Sequence, residues 1–170
     1  MLAAMKAPNG STDTANLHPS GLGHVGLACE DLPKMRDFYT RVVGMSVTDE
    51  APGMVFLSSQ PESEHHELLL GTGRTAPRDT RLVGQISFHV ENLQVLQAYV
   101  SRLKEEQVPI RNITTHGIAI GCYFSDPEDN IIELYWATGK SWKQPYGKSI
   151  NVEQPVDAVL AEQERLLAGV

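Results

Sequence analysis

Two stretches of this chain match each other without a gap. Gly23-His24-Val25-Gly26-Leu27-Ala28-Cys29-Glu30-Asp31-Leu32 lies over Gly84-Gln85-Ile86-Ser87-Phe88-His89-Val90-Glu91-Asn92-Leu93. Each opens on Gly and a polar residue, runs through a short apolar segment, and closes on an acidic residue, an Asx and Leu. An internal repeat of this kind restricts the fold more than any local propensity, because each copy must build the same supersecondary unit. The ends of the halves also match, with Glu64-His65-His66-Glu67-Leu68-Leu69-Leu70 over Asn130-Ile131-Ile132-Glu133-Leu134-Tyr135-Trp136.

Taken in order, residues 23–29 read as a strand. Asp31 is placed to cap a helix, with Pro33 tolerated in its first turn, and the helix is expected to run to about Val43, where Gly44 stops it. Strands follow around residues 45–48, 54–59 and 65–70, then a linker over residues 71–81. The pattern restarts with a strand at 85–90 and a helix from an Asn92 cap to about Gln107, carrying Leu93, Leu96, Tyr99, Val100 and Leu103 at helical spacing. Strands at 109–113, 118–124 and 131–136 complete the second half. Residues 140–151 read as loop and 156–167 as a short amphipathic helix. The expected class is α+β, built from two βαβββ modules over residues 21–72 and 83–138 of a domain spanning 21–142. A mobile arm is expected over 1–20 and a tail over 143–170.

A chain of 170 residues with 41% hydrophobic and 21% charged residues can bury a real core. The net charge of −7 and the lack of Lys/Arg runs argue against nucleic acid and anionic membranes. Residues 1–20 carry one Lys and no continuous apolar block, so they do not read as a signal peptide, and no apolar run approaches the ~18–20 residues of a membrane span. Cys29 and Cys122 sit in apolar strand-like runs and read as buried thiols in a reducing cytoplasm.

Glu133 stands in the apolar strand 131–136. A carboxylate there is costly unless a cation or a wet face compensates it. A pseudo-twofold relating the halves would set His24 and Gln85 on the first strands, and Glu67 and Glu133 on the last, around one axis. All four side chains offer N or O donors suited to a hard or borderline divalent metal.

The chain from about residue 22 to 142 resembles the vicinal oxygen chelate superfamily of glyoxalases, bleomycin-resistance proteins and extradiol dioxygenases. The resemblance rests on His24-Val25-Gly26-Leu27 with Asp31-Leu32, on Phe38-Tyr39 and Val43-Gly44-Met45, and on the run from Tyr123-Phe124-Ser125-Asp126-Pro127 through Glu128-Asp129-Asn130 to Ile131-Ile132-Glu133-Leu134-Tyr135. It implies paired modules forming an open, cupped mixed sheet around a metal. Within the superfamily the chain is most similar to the small type I extradiol catechol dioxygenases. His66 resembles their acid-base histidine, Tyr123, ten residues before Glu133, their active-site tyrosine, and His116 their histidine behind the metal ligands. The Pro145-Tyr146-Gly147 segment is similar too.

The resemblance implies Fe(II) on His24, Glu133 and, more loosely, Gln85, which stands where the family has its second histidine. His89, four residues on, falls about 13 Å along the strand and does not replace it. The expected reaction is opening of a small aromatic diol by O2, with His66 moving a proton, Tyr123 binding the substrate oxygen and His116 orienting the pocket. Two alternatives stand beside it. One is a glyoxalase- or epimerase-like set of His24, Glu67, Gln85 and Glu133 on zinc, nickel, cobalt or manganese. The other is a metal-free binder of aromatic ligands. His18, His65 and His89 read as structural or surface residues, and Trp136 and Trp142 as packing. A homo-oligomer is expected, because open sheets leave edges to cover.

Overall fold

The structure is a computed structural model that describes residues 19, 21–80 and 83–169. Apart from Pro19, the N-terminal arm, His18 included, lies outside these residues. The first module runs β1 (Val25–Cys29), α1 (Leu32–Asp37), a π-helical turn (Phe38–Val42), β2 (Ser46–Ala51), β3 (Met54–Ser58) and β4 (Leu68–Thr72). The second runs β5 (Ile86–Val90), α2 (Leu93–Glu105), β6 (Ile110–Thr115), β7 (Ala119–Ser125) and β8 (Ile131–Ala137). A two-residue β9 (Lys148–Ser149) and α3 (Val156–Ala168) follow. The sheets have orders β1-β4-β3-β2 and β5-β8-β7-β6-β9, each with one parallel pair, β1 with β4 and β5 with β8. Both sheets are open. The class is the expected α+β, with two βαβββ modules.

Strand parity sorts the residues. Leu27, Cys29, Leu68, Leu70, Ile132, Leu134, Ile120, Cys122 and Phe124 are buried. Residues at the alternate positions, Gly26, Ser87, Gly121, Tyr123 and Glu133, form the other face. Burial pushes both thiols up to about 12. For Cys29, the Glu128 and Asp126 charges add to the effect.

The first helix differs from expectation. It is α-helical only to Asp37 and then widens, with Val43 N–H bonded to Phe38 C=O at 3.2 Å. Neighbouring Phe38 and Tyr39 are both buried, and the wider turn lets the Tyr39 hydroxyl donate to Asp126 of the other module at 3.0 Å. The start of α1 is also held from outside. The Asp31 side chain accepts from Lys34 N–H. The Glu128 carboxylate accepts from the Glu30 and Asp31 N–H groups at 2.7 and 2.8 Å and pairs with Arg74. By contrast, α2 is capped by its own Asn92, which accepts from Val95 N–H at 2.9 Å. Its Tyr99 packs against the core from the expected face, half-buried, and its hydroxyl donates to Val43 C=O at 2.8 Å.

Two boundaries shift. β4 begins at Leu68 rather than at His65, because Ser63 and Glu64 N–H bond back to Gln60 C=O and hold residues 60–64 as a turn. The segment 140–151, expected as loop, contributes β9, which pairs Thr114 with Ser149 and Thr115 with Lys148.

Candidate active site

His24 and Gln85 each directly precede the first strand of their module, and both are exposed. What surrounds them differs. The His24 ring lies 4.3 Å from that of His66, centroid to centroid. The Nδ1 atoms of His65 and His66 are 2.8 Å apart, so one ring carries the hydrogen and the other accepts it. Phe56 makes T-shaped ring contacts with both. Partial burial, then the neighbouring His24 and His65, hold His66 below the ordinary imidazole pKa, which favours a neutral ring.

On the second module, Gln85 Nε2 donates to Glu133 Oε2 at 3.0 Å and to Ser87 Oγ at 2.9 Å. The Ser87 hydroxyl donates to the same carboxylate oxygen. Glu133 is 7% exposed and directly opposite Tyr123 on β7. Gly121, on the same face, leaves the carboxylate its room: a Cβ there would lie 2.3 Å from Glu133 Oε1. Burial first, then the neighbouring Glu133 carboxylate, raise the Tyr123 phenol. Tyr123 therefore stays a hydroxyl at neutral pH.

His116 completes this cluster. Its Nδ1 lies 2.7 Å from Tyr146 C=O and its Nε2 2.9 Å from the Tyr123 hydroxyl. A carbonyl only accepts, so Nδ1 bears the hydrogen. In the neutral ring Nε2 then accepts from Tyr123.

Glu67 does not take the position expected of it. Overlaying Gly23–Leu32 on Gly84–Leu93 sets Gly26 on Ser87. The register pairs Gly26 with Leu69 and Ser87 with Glu133, so the counterpart of Glu133 is Leu69. Glu67 falls two residues earlier, and its carboxylate accepts from the Ser59 N–H at 2.7 Å and from the Ser59 hydroxyl. Among the described residues no three His, Cys, Asp or Glu side chains gather as a metal cage. A cation site here needs the Gln85 amide oxygen beside His24 and Glu133. One imidazole, one carboxylate and one amide make a donor set that fits a divalent cation.

Four contributors were missed from sequence. Ser87 is two residues from Gln85 and shares its strand face, so parity could have found it. Gly121 is a glycine inside a strand, a sign of close approach. Nothing in their residue types signals that His65 pairs with His66 or that the Tyr146 backbone holds His116.

The comparisons with known proteins agree with this architecture. Residues 21–134 match the model of the glyoxalase/bleomycin resistance protein/dioxygenase superfamily, and the chain belongs to that superfamily. Biphenyl-2,3-diol 1,2-dioxygenase 3 of Rhodococcus globerulus is 30% identical over 118 residues, 66% of this chain and 61% of the relative. Biphenyl-2,3-diol 1,2-dioxygenase 2 of the same organism is 29% identical over 115 residues, 65% of this chain and 60% of the relative. The match thus spans about three-fifths of each curated relative's length. In fold, the chain is similar to a fosfomycin resistance protein of Listeria monocytogenes, with a TM-score of 0.58 at 20% identity over 72% of this chain and 97% of that one. It is also similar to lactoylglutathione lyase of Agrobacterium tumefaciens, with a TM-score of 0.55 at 22% identity over 69% of this chain and 94% of that one. No helix among the described residues is long and apolar enough to cross a membrane.

Proposed function

We propose that the chain is an extradiol-type dioxygenase that opens a small aromatic diol with O2. The observation behind this reading is that each module sets an expected ligand beside an expected catalytic side chain: His66 is in ring contact with His24, and Tyr123, bonded to His116, lies opposite Glu133. The likeness to the biphenyl-2,3-diol dioxygenases supports a substrate with two adjacent aromatic hydroxyls.

In this reading His24, Glu133 and the Gln85 amide oxygen hold a divalent cation, Fe(II) first among the candidates. When bound, such an ion would draw charge from the two diol oxygens and bring dioxygen beside them. His66, kept neutral at pH 7, takes a proton from the diol and returns it. Tyr123 remains a phenol and binds a substrate oxygen. His116, with Nδ1–H held by Tyr146, receives the Tyr123 hydrogen bond and keeps that phenol oriented.

The test is anaerobic loading of the purified protein with Fe(II), a count of iron per chain, and exposure to 2,3-dihydroxybiphenyl in air. Near-stoichiometric iron, a yellow ring-opened product and a loss of at least about 100-fold in turnover for His66→Ala are the expected results. Bound iron with no product overturns the ring-opening step.

A second reading, a metal-free binder of aromatic ligands, is favoured by one observation. Gln85 and Ser87 already satisfy Glu133 Oε2 from within the protein. Tight binding of the diol without uptake of any divalent ion would select it.

A further inference from the structure

The chain that follows β8 returns to the turn carrying His116 at several points. The Gln144 amide donates to His116 C=O at 2.7 Å, and Tyr146 C=O accepts from His116 Nδ1–H. The Trp142 side chain occupies the space a Cβ on Gly117 would need, 2.7 Å away, and Gly117 has φ +77°. From α3, the Gln163 amide donates to Gly117 C=O at 3.0 Å and to Thr115 Oγ1 at 3.2 Å. The Tyr146 hydroxyl donates to Leu166 C=O at 2.8 Å and joins the returning segment to α3.

Gln163 is an unusual residue for its place. It is fully buried, and its Oε1 has no hydrogen-bond partner. An unmet buried acceptor lowers stability. A Met of nearly the same volume would fill the space without that loss. Its donor bonds add little that the fold lacks, since Gly117 C=O also receives the Thr138 hydroxyl and Thr115 Oγ1 also receives Gly117 N–H. What the amide does supply is a fixed link between α3 and both sides of His116.

We propose that Gln163 is a positioning residue. It acts through Thr115 and Gly117, and together with the Tyr146 carbonyl it holds His116 in the Nδ1–H tautomer that offers Nε2 to Tyr123. α3 is thus the outer wall of the candidate site rather than a cover for the sheet alone. The consequence for turnover rests on the proposed function. The state of the His116 ring does not.

The experiment uses the full chain with 15N-labelled histidine, at a pH where the rings are neutral. In the wild type, His116 Nδ1 is expected to show the shift of a protonated ring nitrogen and Nε2 that of an unprotonated one. In Gln163→Met both shifts move toward the averaged values of a free imidazole, while the thermal midpoint stays or rises. A folded Gln163→Met with unchanged His116 shifts overturns the proposal, as does a wild type that lacks the Nδ1–H form. If Gln163→Met does not fold, Gln163→Glu decides. It keeps the shape of the side chain and removes the amide that donates to Thr115 Oγ1 and Gly117 C=O. Movement of the same His116 shifts supports the proposal, and none overturns it. If the wild type opens diols, Gln163→Met should lower kcat about tenfold with KM unchanged. A wild type with no turnover counts against the dioxygenase reading only, and the ring shifts still decide this one.

Discussion

The two modules share strand order and parity but differ in what they bring to the site. At the mouth of the first stand three imidazoles, with His66 in ring contact with His24 and His65, and with Phe56 against His65 and His66. At the mouth of the second stand an amide, a hydroxyl and a carboxylate, Gln85, Ser87 and Glu133, bonded to one another and backed by Tyr123 and His116. The difference extends to their helices. Both starts carry a local cap, Asp31 and Asn92, and the first is held as well by Glu128 from the other module. The repeat keeps the positions while the chemistry differs, so that one half carries imidazole nitrogen and the other a buried carboxylate with its donors.

The largest test of this asymmetry is at the helix starts. Glu128→Ala removes the acceptor of two backbone N–H groups and leaves Arg74, itself largely buried, without its carboxylate. Losing one partner of a buried pair costs about 3–5 kcal/mol. Asn92→Ala, the local cap of the second module, should cost about 1 kcal/mol. Urea unfolding of the two variants measures the gap, and equal losses would mean that the clamp is no stronger than an ordinary cap.

Gln85→His erases the main chemical difference between the two strand mouths. It supplies a second imidazole, and Fe(II) affinity should rise about 10–100-fold. Anaerobic titration with a competing chelator measures it, and an unchanged affinity would place the cation elsewhere. Gly121→Ala works in the other direction. The only atom within 3.0 Å of the new Cβ is the tip of the Glu133 side chain, which can move aside. Stability should fall by only about 1 kcal/mol, while metal affinity falls about tenfold. A variant that loses stability but keeps its metal would show that Glu133 is not a ligand.

The smallest effect concerns Asp126. Burial raises its pKa above the usual carboxylate value, partly offset by bonds from Asn130, Glu128 N–H and Tyr39. A raised acid favours its protonated form in the fold. Its contribution is therefore complete below the ordinary Asp pKa and is lost as pH rises through the folded value. The stability advantage of wild type over Asp126→Asn should shrink between pH 4.5 and pH 7.5. Urea midpoints at the two values measure it, and an advantage that grows would reverse the assigned direction.

The two-module class was legible because strand parity and repeat length are written in residue types. The equivalence of Glu67 with Glu133 was misread because Glu-Leu-Leu and Glu-Leu-Tyr look alike, while register is set by the pairing of Val25 with Leu68, which composition does not encode. His65, His66 and Glu67 were taken into a strand because the turn that precedes it is held by backbone bonds to Gln60. The π turn was hidden for a related reason: α and π turns draw on the same residues, and two consecutive buried aromatics were the one sign. Glu128 looked like a turn residue because its partners lie 97 and 98 positions away.

That last separation has a consequence for how the protein is made. Chains leave the ribosome from the N-terminus at roughly 5–20 residues per second, so Asp31 emerges about 5–19 s before the carboxylate that caps it. During that interval every residue of the first module has been synthesised, yet the start of its helix has two unmet donors and Arg74 has no anion. A nascent chain halted before Glu128 is a complete module by length and an unfinished one by bonding. The acidic turn between β7 and β8 is therefore the last piece the first module needs, delivered by the second.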